Sequence, residues 1–186
     1  MKKMFFISAM ILFVTGLQAQ DKFYTKNGRV VFDATVSASP EKIEGINKTS
    51  ACVLDTKTGN LQFVVLMKSF EFERALMQEH FNENYVESDK YPKTEFKGQI
   101  TNNATVAYSK EGIYPVKVTG KLTMHGVTKD IQADGKLIIK NGKISVASNF
   151  KAPLADYGVA IPSLVADKVA KTASIEVDCT LEPLKK

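Results

Sequence analysis

Apolar and polar residues alternate with a period of two along most of this chain. Val30, Phe32, Ala34 and Val36 share one face of their segment, against Val31, Asp33, Thr35 and Ser37 on the other. Leu61, Phe63, Val65 and Met67 repeat the pattern, as do Tyr114, Val116, Val118, Gly120, Leu122 and Met124. Ile131, Ala133, Gly135, Leu137 and Ile139 follow, then Ile144, Val146 and Phe150, and finally Ile175, Val177, Cys179 and Leu181. One apolar and one wet face per segment predicts antiparallel strands. Lys57-Thr58-Gly59-Asn60, Lys110-Glu111-Gly112 and Lys140-Asn141-Gly142-Lys143 sit between such runs, and Asn-Gly is a strong hairpin signal. The expectation is an all-β fold whose strands either split into a sandwich or, as the removal of exposed edges favours, close into an antiparallel up-and-down barrel of about eight strands.

Two stretches break the alternation. Phe70 to Ser88 places Met77, Phe81 and Tyr85 four residues apart, with Leu76 beside them, which predicts a short amphipathic helix after the third strand. It ends before Asp89-Lys90-Tyr91-Pro92, because the residue preceding proline avoids helical geometry. Ala152 to Lys171, with Pro153 and Pro162, predicts a long loop with one helical turn, of the kind that lids a barrel mouth.

Composition narrows this only a little. The 186 residues are 44% hydrophobic and 24% charged, which excludes disorder and allows one domain with a real core. The net charge of +5 comes from scattered lysines and arginines, so no nucleic-acid face is indicated. Part of that charge is Lys2 and Lys3, which precede the apolar run Met4 to Val14 and the small-residue site ending at Ala19. These features predict a cleavable signal peptide over 1–19, a single barrel domain over 20–186, and export to the periplasm or beyond. The run is shorter than the roughly 20 residues that span a bilayer, so no stable transmembrane anchor is expected. The two cysteines, Cys52 and Cys179, are compatible with a disulfide in an exported protein or with two buried thiols.

Candidate chemistry is sparse. His80 and His125 are the only histidines; His80 lacks a partner at ligand spacing, and His125 falls at a strand end beside Gly126. Glu79 and Glu83 lie one helical turn apart, as surface carboxylates often do. No nucleophile elbow, zinc-protease motif or phosphate loop is present. A non-catalytic protein without metal or cofactor is expected. What remains is the inward face: Phe32, Phe63, Val65, Met67, Phe96, Val118, Leu122, Ile131, Leu137 and Phe150, joined by Val116, Ile144 and Ile175. The small residues Ala34, Gly98, Gly120, Ala133 and Gly135 between them either complete a filled core or leave room for an apolar chain.

The stretch Met77 to Ile100, MQEHFNENYVESDKYPKTEFKGQI, resembles the helix-to-strand signature of the YceI-like family. VKVTGKLTMHGVTKDI, Val116 to Ile131, is similar to that family's G-x-L-x-x-x-G-V-T hairpin, and ADYGVAIPSLVADKV, Ala155 to Val169, to its late Tyr-Gly loop. The resemblance spans Phe23 to Pro183. It implies a lipocalin-like barrel in the periplasm that holds a polyisoprenoid or fatty-acyl lipid. A lid helix carrying Met77, Phe81 and Tyr85 would pack over the cavity, with Pro92, Phe96, Gly120 and Gly126 shaping strands and turns. The chain departs from the pattern in a brief first strand, in lacking the histidine-bearing opening, and in reading FERALMQEHF where Arg-Asp is usual before the helix. It thus resembles a shorter branch. The alternative is an envelope interaction protein with a filled barrel; a homodimer is permitted under either reading.

Overall fold

The computed structural model describes residues 21–37, 39 and 41–184. The expected leader, 1–19, lies outside the described residues. The described chain forms strands β1 (Lys22–Thr35), β2 (Glu44–Asp55), β3 (Asn60–Leu66), β4 (Phe70–Phe72), β5 (Lys93–Ile100), β6 (Gly112–Met124), β7 (Val127–Lys140), β8 (Lys143–Pro153) and β9 (Val169–Pro183), with one short helix, α1 (Ala75–His80).

Pairing runs β1-β9-β8-β7-β6-β5-β3-β2, and β2 returns to β1, so eight strands close an antiparallel barrel. The three-residue β4 pairs only with β2, at Gly45, Ile46 and Asn47. Two tight hairpins carry left-handed residues at both central positions, Asn141-Gly142 and His125-Gly126, as their right-handed strand twist requires. The Asn-Gly turn was visible in the residues themselves, and the His-Gly turn in the hairpin that the family resemblance implied.

The helix is shorter than the expected Phe70 to Ser88. Phe70-Glu71-Phe72 alternates as a strand does, burying Phe70 and laying the Phe72 ring against Gly45. The α-helix starts at Ala75, and from Phe81 to Tyr85 the chain widens into one π-helical turn, in which Val86 N–H bonds Phe81 O at 3.0 Å. Leu76 is 61% exposed but borders the same space at the mouth as Met77, Phe81 and Tyr85. The first strand is also corrected: β1 is 14 residues long and starts at Lys22. Register shifts between Thr25 and Gly28 and between Gly28 and Val30 break its period of two, which hid its first half.

One end of the barrel is sealed. Leu54, Leu61, Ile100, Leu137, Ile144 and Leu181 pack there, and Val106 and Tyr108 from the 101–111 connection close it from outside. Ile144, expected on the cavity wall, belongs to this packed end. Cys52 and Cys179 are both buried and both free thiols. Burial and the neighbouring Cys179 push the Cys52 thiol well up, and burial with the Asp178 charge pushes Cys179 up to about 12. Both stay protonated near neutrality, where thiol chemistry needs the thiolate. Gly28 packs against Cys179: a Cβ there would collide with Cys179 Sγ and stand 2.9 Å from Ser50 O.

Gly98 and Gly120 face each other across β5 and β6. Of the two roles open to the small residues, this pair takes the first and does not widen the interior. The Phe96 ring lies over both, its Cζ 2.4 and 2.7 Å from where their Cβ atoms would be. A Cβ on Gly120 would also stand 2.5 Å from Gly98 Cα and Lys97 O, which are backbone and cannot step aside. Gly120→Ala is therefore expected to destabilise the barrel by about 1–3 kcal/mol or more, through overpacking. Urea denaturation checks this; an unchanged midpoint would contradict the seat assigned to Phe96.

Candidate functional site: an apolar cavity and its mouth

The other end of the barrel stays open between two packed clusters. On one side Phe81 and Val86, from the end of the helix, join Val30, Val65, Met67 and Phe70. On the other, Leu154, Tyr157 and Val159 from the β8–β9 connection pack on Leu122, Met124, Ala152 and Ala173. That connection holds two short 3-10 turns, Leu154–Tyr157 and Ser163–Val165.

Below these clusters lies a cavity of about 120 Å³. Apart from Ile144, the residues the sequence placed in the lining stand on its wall: Phe32, Phe63, Val65, Met67, Phe96, Val118, Leu122, Ile131, Leu137 and Phe150, with Val116 and Ile175 beside them. Ala133 and Gly135 open it on the β7 side. The barrel is therefore not fully filled. No charged residue lines this space, and its hydroxyls, Thr94 and Ser148, are already committed. Ser148 Oγ donates to Asp134 O at 2.8 Å and Thr94 Oγ1 to Met67 Sδ at 3.2 Å. A wall with no polar group to spare holds hydrocarbon and repels water.

Above it is a second, larger space of about 350 Å³ under the helix and the late loop. Met77, Phe81 and Tyr85 line it, as do Leu154, Val159, Val165 and Val169. Ala34 lines it as well, rather than the inner cavity. Phe32, Met67 and Met124 border both spaces and form the partition between them. Two of the three are methionines, whose unbranched thioethers re-pack readily. Phe81 closes the partition from above, its ring 5.4 Å from Phe32, 5.4 Å from Phe70 and 4.8 Å from Phe72.

Size decides how these spaces can be used. Small-molecule pockets run roughly 300–1,000 Å³, and a cavity of about 150 Å³ suits a single aromatic ring. The inner cavity alone is too small for a long chain, whereas the two joined past the partition reach the range. The geometry fits an extended molecule with its tail in the barrel and its other end at the mouth.

The helix is lightly held for such a cover. None of Ala75–His80 is buried, so the segment docks through Phe81 and Val86 just beyond it. Its far end is fixed by His125. The ring Nδ1 is 3.0 Å from Tyr157 O and Nε2 is 2.7 Å from Glu87 Oε2. Each ring nitrogen therefore faces an oxygen, one from the late loop and one from the helix exit. Tyr91 packs edge-on against it at 4.5 Å. His125 thus ties the β6–β7 turn to the helix exit and to the late loop, a structural role that its place at a strand end beside Gly126 did not reveal. His80 is exposed at the mouth. Among the described residues no group of three His, Cys, Asp or Glu could hold a metal ion, and no helix is long and apolar enough to cross a membrane.

The model of the YceI-like domain matches residues 14–181, nearly the whole chain. The chain belongs to the YceI-like family. Solved structures share its fold at low identity. A polyisoprenoid-binding domain from Saccharophagus degradans, implicated in plant cell wall breakdown, superimposes with a TM-score of 0.75 at 15% identity, covering 89% of this chain and 99% of that one. BcnA of Burkholderia cenocepacia gives 0.65 at 16%, covering 82% and 95%. The YCEI protein of Campylobacter jejuni gives 0.58 at 21%, covering 81% and 90%. No curated protein sequence matches the chain. The family signatures prove to be architectural here. Pro92 O accepts from Met67 N–H at 2.9 Å, Gly126 makes room for Tyr91, and Gly158 caps the turn that ends at Tyr157.

Proposed function

We propose that this YceI-like protein is a non-catalytic carrier of a long-chain lipid, an isoprenoid or a fatty-acyl chain, in the periplasm. The observation that carries the reading is the cavity below the partition, which has an apolar wall, committed hydroxyls and no charge. The polyisoprenoid binding named for the Saccharophagus degradans domain supports the same class of ligand. Each CH₂ transferred from water contributes about 0.8 kcal/mol, so a chain of about fifteen carbons outweighs the cost of association without polar help. The signal-like residues Lys2, Lys3, Met4 to Val14 and Ala19 support export, with cleavage after Ala19. Transport, storage and envelope stress response are all served by such a carrier.

Native mass spectrometry of protein purified from its own host, followed by organic extraction, tests this. The expected result is a chain beginning after Ala19, accompanied by an extractable apolar ligand. A bare protein that also fails to take up radiolabelled lipids would overturn the reading.

A further inference from the structure

The mouth holds charges that a hydrocarbon tail leaves unused. Arg74, His80 and Lys168 line the upper space, together with a single carboxylate, Glu41. Arg74 Nη1 stands 2.6 Å from Glu41 Oε1, so an ion pair bridges the β1–β2 loop and the start of the helix. Lys168, at the end of the late loop, makes no ion pair among the described residues. Glu73 and Asp167 neighbour these cations in the chain but are not part of the wall.

We propose that the lipid carried here has an anionic head group, a carboxylate or a phosphate, which binds Lys168 and takes the place of Glu41 on Arg74. This rests on the carrier reading above and names the class of lipid within it. The head group of a lipid whose tail enters the barrel has one place to go. Below the partition there is neither a charge nor a free hydroxyl to receive it, and an unpaired buried charge is costly. In the upper space the wall carries two permanent cations against one carboxylate. A cationic head would meet net repulsion there, and a neutral one would leave Lys168, which is exposed at the rim, to water and gain nothing from either cation. An anion satisfies both cations, with the Arg74 guanidinium offering the planar fork that suits carboxylate and phosphate. Exchange is inexpensive. The side chains of Arg74 and Glu41 are 70% and 42% exposed, so their pair contributes little and the displaced Glu41 returns to water.

The test compares ligands with one tail and different heads: hexadecanoate, hexadecyl phosphate, hexadecan-1-ol and hexadecyltrimethylammonium, titrated below their micellar concentrations. At least one of the anions is expected to bind about ten-fold or more tighter than the alcohol, with the ammonium compound weakest. Whichever anion binds tighter identifies the head group as carboxylate or phosphate. In Lys168→Glu the ratio of alcohol to anion dissociation constants should fall to about one, with Lys168→Ala in between. Glu41→Gln should tighten anion binding by removing the competitor. Two results overturn the inference while leaving the carrier reading intact: an alcohol that binds as tightly as both anions, or an anion preference that survives Lys168→Glu. Failure of all four ligands to bind overturns the carrier reading itself.

Discussion

Ala133→Phe is expected to abolish lipid binding while leaving the barrel folded. Ala133 lies on β7 opposite Val118, and both line the inner cavity. A phenyl ring at that position fills a space of about 120 Å³ that is otherwise suited to a single ring. The ring enters existing volume, so the strain cost stays near the lower end of the roughly 1–3 kcal/mol seen for overpacked cores. The tail of a long-chain ligand loses its seat, and the CH₂ groups it buried, at about 0.8 kcal/mol each, must stay in the mouth or in water. A loss in affinity of about a hundred-fold or more is expected in a titration with a fluorescent fatty acid, beside a thermal melt that remains cooperative. Unaltered affinity in a folded variant would place the ligand outside the barrel.

Phe81→Ala should give the largest change in stability at the mouth. The ring is 4% exposed and touches Phe32, Phe70 and Phe72. Removing a buried Phe costs about 3–5 kcal/mol, part of it the aromatic pairing that such tilted and edge-on contacts supply. Where that cost falls distinguishes this site from the sealed end. The helix has no buried residue of its own, so losing Phe81 should free it locally before the barrel unfolds. Hydrogen exchange should then speed up over Ala75–Tyr85, and bound lipid should leave faster, because the partition loses its cover. Leu137→Ala offers the comparison: Leu137 is fully buried in the sealed-end core, and its loss of about 2–5 kcal/mol should appear in global unfolding. Exchange at the helix that stays as slow as in the unaltered protein would show that Phe81 does not hold the cover down.

The barrel was legible because its signal is local. Period-two alternation in β3, β6, β7, β8 and β9 marks the inward face residue by residue, and hence the wall from Phe63 to Phe150. Features that depend on partners distant in sequence were not legible. The first half of β1 hides because its bulges at Gly28 shift which side chains face inward. Phe70 and Phe72 alternate as a strand does, but three residues are too short a signal, and the strand forms because β2 supplies an edge at Gly45 to Asn47. The glycine pair Gly98 and Gly120 reads as empty space until Phe96 is seen lying across it. His125 gains its role only when Glu87 and Tyr157 meet at its two nitrogens. Likewise Arg74, Lys168 and Glu41 come from three separate connections and share no local motif.

The central claim is that a lipid tail passes the Phe32–Met67–Met124 partition into the barrel. Intermolecular nuclear Overhauser effects between uniformly ¹³C-labelled hexadecanoate and the protein's methyl groups test it most directly. The account predicts contacts from the terminal methyl to Val118, Ala133 and Leu137, and from carbons near the head to Leu154, Val159 and Val165. Contacts confined to the mouth residues, or to the outer surface of the strands, would contradict it.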